Sequence, residues 1–348
     1  MKIAQVAPLA ESVPPRLYGG TERVVSYLTE ELIKQGHEVT LFASGDSVTS
    51  ARLVSPVDEC IRLSKTYLNS IPHEYIMNEM ISRESGNFDI IHFHTDYIHF
   101  PVSRREKYAH LTTLHGRLDL PELKNIYSEF NEIPVVSISY DQRSYLPQAN
   151  WIGNAYHGLP TKLYNLNGDE GKYLAFLGRI SPEKRPDRAI RIARLTGIPL
   201  KIAAKVDSVD TDYYESVIEP MLDNPLVEFI GEIGEDEKND FLGNALALLF
   251  PIDWPEPFGL AMIESMACGT PVIAFNCGSV PEVVDDGKTG FIVNNMREAV
   301  EAVYKIQSLS RSKIRETFES RFSAAKMAGD YSLLYKKILK NSMIQEVA

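Results

Sequence analysis

Residues 251–282 read PIDWPEPFGLAMIESMACGTPVIAFNCGSVPE, and their reading decides the fold. They follow an apolar run at residues 245–250 that has the length of a buried strand. Pro251, Pro255 and Pro257 then fix φ and remove backbone donors, so the chain turns. From Phe258 helical spacing takes over through Leu260, Ile263 and Ala267, and Gly269 is the expected stop. A second apolar run at 271–275 follows at once. Strand, constrained loop, helix and strand make one βαβ unit.

The polar groups of this unit suggest its chemistry. Glu256 lies in the loop before the helix, and Glu264 lies on the helix. Gly259 between them lacks a Cβ, so a ligand can approach the unsatisfied N–H groups at the helix start. Those groups and the helix dipole suit a phosphate. At about 1.5 Å per residue, the rise from Gly259 to Glu264 is roughly 7 Å. A diphosphate on the helix start would then carry a hydroxyl-bearing group on either side, each meeting one carboxylate. Hexose, diphosphate and ribose in that order describe a nucleotide sugar. Each glutamate alone also fits a solvated loop or surface-helix role.

The two glutamates, with Pro257-Phe258-Gly259-Leu260 after the first and Gly269-Thr270-Pro271-Val272-Ile273 after the second, resemble the motif of the retaining glycosyltransferases of family 4. A second segment carries the resemblance independently. Residues 173–178 read as a strand and run into GRISPEKRP, which places Arg179 and Lys184 in the following loop, with Pro186 suited to open a helix. The resemblance implies that Arg179 and Lys184 bind the donor diphosphate.

Composition sets the limits. A chain of 348 residues, 44% hydrophobic and 24% charged, suggests two domains with cores of ordinary size. A net charge of −11 argues against a nucleic-acid partner. Cys60, Cys268 and Cys277 show no metal spacing and cannot all pair, which points to a reducing compartment. No apolar run approaches a membrane span, and Lys2 leads straight into a strand without a signal-peptide pattern. The expectation is a cytoplasmic protein, with peripheral membrane contact left open.

The first half repeats the same α/β logic. Residues 2–8 read as a strand, 11–20 as a Gly- and Pro-rich loop, and Thr21 as the cap of a helix ending at Gly36. Gly19 and Gly20 thus lie between a strand end and a helix start, where open α/β sheets bind ligands. The spacing is not a dinucleotide fingerprint, which disfavours an oxidoreductase. The resemblance makes this loop face the donor diphosphate or the acceptor. Strands are expected at 39–43, 89–95, 111–116, 133–140 and 151–156. His92 and His94 share a strand face but lack a third metal ligand. His115 ends its strand facing the crevice, and the resemblance sets it against the donor sugar and phosphate.

Residues 158–172 (GLPTKLYNLNGDEGK) read as the interdomain linker. Further strands are expected at 200–204, 227–230, 245–250, 272–275 and 291–293, and one helical segment at 314–339. Asp210-Thr211-Asp212 reads as a helix cap with dipole-favoured acids rather than a metal site.

The resemblance implies the GT-B architecture, two doubly wound Rossmann-like α/β domains facing a cleft. The expected domains are 1–165 on the acceptor side, 166–318 for the nucleotide sugar, and a C-terminal helix at 319–348 crossing back to the first. The implied reaction moves a hexosyl group from a nucleoside-diphosphate sugar to an acceptor hydroxyl with retained configuration, UDP-glucose ahead of GDP-mannose. The acceptor is a small molecule, a lipid-linked group or a saccharide. Glu256, His115, Arg179 and Lys184 are the expected catalytic residues. Gly19, Gly20, Arg179, Lys184, Glu256, Phe258, Gly259, Leu260 and Glu264 are expected at the donor. No cofactor or metal is required, since cations and the helix start neutralise the leaving diphosphate. The rival readings are a sugar-nucleotide epimerase of the same architecture and a non-catalytic nucleotide-sugar-binding protein.

Overall fold

The computed structural model describes residues 1–16, 19–106 and 108–347, the side chains of 342–347 excepted. The chain forms two compact units, Met1–Gly158 with Ala324–Ala348, and Leu159–Ser323. Each is an α/β domain built on a parallel sheet.

In the first unit the strands are β1 (Lys2–Val6), β2 (Glu38–Phe42), β3 (Arg52–Val54), β4 (Ile90–Phe93), β5 (His110–Thr113), β6 (Pro134–Ser137) and β7 (Asn150–Asn154), in the spatial order β3-β2-β1-β4-β5-β6-β7. The second holds β8 (Tyr173–Ile180), β9 (Leu200–Val206), β10 (Val227–Gly231), β11 (Ala245–Phe250), β12 (Val272–Phe275) and β13 (Gly290–Val293), in the order β10-β9-β8-β11-β12-β13. All pairs are parallel; Ile3 faces Val39 and Ile90, and Leu248 faces Ala175 and Val272. Both sheets are doubly wound. The order reverses between β1 and β4 in one unit and between β8 and β11 in the other, so the carboxyl ends of those strands open a crevice.

In the second unit β11, β12 and β13 are continuous apolar runs because helices cover both faces. Phe176, Leu249, Ile273 and Phe275 pack with Ile190, Ala193, Ala299 and Val303 of the helices Pro186–Thr196 and Met296–Lys305. Among the described residues no helix is long and apolar enough to cross a membrane.

Several boundaries differ from the sequence reading. The expected linker at 158–172 belongs to the second unit from Leu159 onward. Tyr164 is fully buried, Asn167 N–H donates to Cys268 O at 3.1 Å, and Lys172 N–H donates to Asn244 O at 2.9 Å. Arg315 Nη1 donates to the Tyr164 carbonyl at 2.7 Å and Arg311 Nε to that of Asn167 at 2.7 Å, so polar residues are bound down here. The later boundary lies at 323/324 rather than 318/319. Phe318 is buried in the second unit, and Phe322 meets Phe258 edge-on at 6.0 Å.

The helical segment at 314–339 is two helices, Arg311–Arg321 and Ala324–Val347, and the second belongs to the first unit. Thr21 is not a cap: the helix Gly20–Lys34 starts one residue earlier, with Gly19 at its N-cap. A regular helix was expected over Tyr213 to Met221, after the cap at 210–212; instead one α-turn, Thr211–Tyr213, is continued by wider and tighter turns, Tyr214–Ile218 and Glu219–Met221, as Pro220 cannot continue the regular ladder.

Sheet spacing sets a sharp test. A Cβ on Gly290 would lie 2.0 Å from the carbonyl oxygen of Val272 on the neighbouring strand. Gly290→Ala must therefore push β13 from β12. The expected loss is about 1–3 kcal/mol by chemical denaturation, and an unchanged midpoint would mean that the strands part freely.

Candidate functional site

The second unit gathers its candidate site residues at its switch point. The loops after β8 (181–185) and after β11 (251–259) lie side by side, joined by Asp253 N–H donating to Glu183 O at 2.9 Å. The first loop ends on Arg185, which takes the left-handed conformation at φ 54°. That conformation costs a side-chain-bearing residue about 1–2 kcal/mol. Ion pairs from its guanidinium to Asp187 at 2.8 Å and Asp253 at 2.7 Å offset the cost. The turn delivers Lys184 to Glu256, and their side chains form a direct ion pair, 17% and 11% exposed.

Trp254 Nε1 donates to the same carboxylate oxygen at 3.0 Å. The Lys184 ammonium also lies 5.0 Å from the Trp254 ring and 5.8 Å from that of Phe250, within cation–π range. A cation and a carboxylate thus share one shielded loop site, as a ligand with phosphate beside hydroxyls requires.

Gly259 carries the chain into the helix Leu260–Ala267 at φ 83°, a conformation that suits glycine. A Cβ there would also sit 2.6 Å from Met262 Cε. The N–H of Met262 bonds back to Gly259 O at 3.0 Å, and the N–H groups at Gly259 and Leu260 precede the helical ladder. Leu260 is half-buried. Phe258, expected at the donor, is 2% exposed; its ring faces Phe322 and its carbonyl accepts from Ser279 Oγ at 2.8 Å.

Glu264 is 2% exposed and pairs with Lys238 at 3.3 Å, a lysine that also meets Glu235 at 3.2 Å. Arg179, at the end of β8, lies 3.6 Å from each of Glu183, Asp207 and Asp210, an ion-pair distance too long for a hydrogen bond. Asp210 was read as a cap through its side chain; it occupies the cap position, but its carboxylate faces Arg179 instead.

In the first unit, Gly19 packs against Pro15, where a Cβ would meet the proline Cβ at 2.8 Å, and Gly20 opens the helix. Leu17 and Tyr18 of the same loop lie outside the described residues. One acid lies beside this glycine: Glu22 Oε2 would lie 3.2 Å from a Cβ on Gly19, and Glu11 and Arg62, themselves paired at 3.1 Å, both act on that carboxyl. Burial pushes the Glu22 carboxyl up to about 7, with Glu11 adding to the shift and backbone N–H groups opposing it.

His115 lies two residues beyond the end of β5, in line with the strand ends. Its Nε2 meets His94 Nδ1 at 2.8 Å, and its ring stacks on His157 at 5.1 Å. Burial pushes it down to about 3. The metal reading of His92 and His94 fails on inspection of their nitrogens, since all four hold hydrogen bonds: His92 to Tyr335 and Thr113, His94 to His115 and Gln5.

Lys238, Trp254 and Gly278 were missed by the sequence reading. Lys238 sits on a helix of unremarkable pattern. Gly278, at φ 58°, lets the next loop close onto the Glu256 main chain, since a Cβ would lie 2.4 Å from Glu256 N. The Cys277-Gly278-Ser279 turn after β12 was its only sequence signal.

The sequence model described as "Glycosyl transferases group 1" matches residues 164–325, and the one described as "Glycosyltransferase Family 4" matches residues 18–158. D-inositol 3-phosphate glycosyltransferase of Mycolicibacterium smegmatis is 31% identical over 176 residues, 47% of this chain and 37% of that protein's length. N-acetyl-alpha-D-glucosaminyl L-malate synthase of Bacillus anthracis is 24% identical over 93% of this chain and 95% of its own. Among solved structures, Anabaena HepE in complex with UDP and glucose superposes with a TM-score of 0.74 at 16% identity, over 97% of this chain and 100% of that one.

The buried histidines predict a pH response. His92, His94 and His157 are held well below the usual range by burial, as His115 is held near 3. An unfolded chain titrates its histidines near ~6.5, so below that pH it binds more protons than the native fold. Stability from these groups is full above ~6.5 and is lost as pH falls, by about 2 kcal/mol per histidine at pH 5. Glu22 acts oppositely: raised to about 7, it contributes stability on the acid side that is lost as pH rises through 7. Four histidines outweigh one carboxyl, so the melting temperature should fall from pH 7 to 5. A flat or rising profile by calorimetry would show that these histidines are protonated in the native fold.

Proposed function

Since the chain belongs to the group 1 and family 4 glycosyltransferases, we propose that it moves a hexosyl group from a nucleoside-diphosphate sugar to an acceptor hydroxyl with retained configuration. The observation that carries this reading is the Lys184–Glu256 pair beside the helix start at Gly259, at the switch point of β8 and β11. Cleavage of the glycosidic bond leaves negative charge on the diphosphate and positive charge on the sugar. Lys184, Arg179 and the N–H groups at Gly259 and Leu260 meet the first, and preorganised charge of this kind supplies much of a transfer enzyme's rate. Glu256 accepts sugar hydroxyls and faces the developing positive charge, Glu264 with Lys238 takes the ribose, and His115 offers a neutral nitrogen to a hydroxyl.

UDP-glucose is the favoured donor, on the likeness to HepE, which was solved with UDP and glucose; GDP-mannose is the second. The acceptor is a small molecule, a lipid-linked group or a saccharide, and the protein works in the cytoplasm. The test is incubation with UDP- and GDP-sugars and candidate acceptors, with the product's anomeric proton read by NMR. Release of a new sugar nucleotide without acceptor would instead establish an epimerase, and an inverted product would end the retaining mechanism.

Two further outcomes follow from the charges. With three sources of positive potential at the diphosphate, turnover should survive EDTA; loss on chelation, restored by manganese or magnesium, would refute metal independence. Glu256→Gln should lower kcat about a hundredfold while calorimetry shows free diphosphate binding nearly intact, a transition-state effect. Glu264→Gln should weaken donor and free diphosphate together, by about tenfold. The reverse pattern would exchange the roles of the two glutamates.

A further inference from the structure

An unbroken run of hydrogen bonds crosses the interior of the first unit, from the helix Ala324–Val347 to His115. Gln5 on β1 donates from Nε2 to the Tyr335 hydroxyl at 3.0 Å, so its Oε1 faces His94 Nε2 at 2.7 Å. A carboxamide oxygen only accepts, so His94 Nε2 carries a hydrogen. His94 is buried and neutral, so its single N–H leaves Nδ1 as an acceptor. The partner of that Nδ1, at 2.8 Å, is His115 Nε2, which must therefore carry the hydrogen. His115 is then left with a bare Nδ1, a buried atom with no hydrogen-bond partner among the described residues.

The other end is consistent. Tyr335, accepting from Gln5, donates its own hydrogen to His92 Nδ1 at 2.8 Å, and His92 Nε2–H donates to Thr113 Oγ1 at 2.7 Å. Thr113 closes the run against the Tyr331 hydroxyl at 2.9 Å. A network that served only to satisfy buried groups would close at both ends. This one closes on Tyr331 and stays open at His115.

We propose that Gln5 and Tyr335 are positioning residues that hold His115 as its Nε2–H tautomer, so that Nδ1 is presented as an acceptor to a ligand hydroxyl. The identity of that ligand as a sugar rests on the proposed function; the tautomer does not. A phosphate oxygen cannot bond to a bare Nδ1, so the relay selects hydroxyl over phosphate at this position. The last helix thereby acts on the ligand without touching it.

The test uses the full chain with 15N-labelled histidine and a two-bond proton–nitrogen spectrum, His115 being assigned through His115→Gln. The wild type should show His115 protonated at Nε2 alone. Gln5→Leu frees His94 Nε2, so His115 should become a mixture of tautomers, and kcat/KM for transfer should fall about tenfold. Tyr335→Phe, which keeps the ring packing, should move the same signals in the same direction and serves if Gln5→Leu does not fold. Protonation of His115 at Nδ1 in the wild type, or an unchanged His115 signal in a folded variant, would overturn the relay. The expected spectra with no transfer from any nucleotide sugar would keep the relay and reject the proposed function.

Discussion

The structure of the second unit turns on how tightly one peptide segment is gripped. The Glu256 carbonyl accepts from Ser279 N–H at 3.0 Å, and the Phe258 carbonyl accepts from Ser279 Oγ at 2.8 Å. The chain at Gly278 comes so close to Glu256 that no side chain fits between them. The loop after β12 therefore clamps the loop after β11 on both sides of Pro257. Given that clamp, the Glu256 carboxylate has one place to go, beside Lys184 and under Trp254. The left-handed turns at Arg185 and Gly259 are strained or glycine-only conformations that the clamp and the Asp253 ion pairs sustain.

The two units handle charge differently. In the second, ionised groups are brought together and partly shielded, which suits a ligand that is itself charged. In the first, burial keeps four imidazoles neutral, and hydrogen bonds rather than charges set their orientation. A neutral imidazole sheet end can recognise hydroxyls without competing for phosphate.

Sequence reading succeeded where local pattern and local structure coincide. β11 and β12 were legible to the residue, because an apolar run between prolines or glycines leaves little choice of boundary. Arg185-Pro186 and Gly259-Leu260 were also visible as helix entries, since proline and glycine have few other uses there. β3 was not legible: a strand of three residues, Arg52-Leu53-Val54, is too short to carry a period. The break at Phe322-Ser323 was hidden because helical spacing continues on both sides of it. The clustering of Arg179, Lys184, Glu256 and Glu264 in one unit could be expected from their motifs, but their mutual pairing could not. Lys238 beside Glu264 depends on two helices meeting, which no spacing encodes. The histidine run needed β1, β4, β5 and the last helix to be neighbours, a relation that exists only in the sheet order.

The ends of the second unit carry a consequence for biosynthesis. Leu159 pairs with Ser323, and Leu159 N–H donates to Phe322 O at 2.9 Å, so this unit begins and ends at one spot, as an inserted domain does. Once Ser323 has emerged from the ribosome, every contact within it can form. The first unit must wait. Its strand β1, made before the second unit, receives Tyr335 as a partner for Gln5 only after more than three hundred further residues have been added. Until then the polar side chains on β1, β4 and β5 lack the hydroxyls that complete their bonding. The unit made in one piece is therefore positioned to finish first, and β1, though made before it, is completed after it.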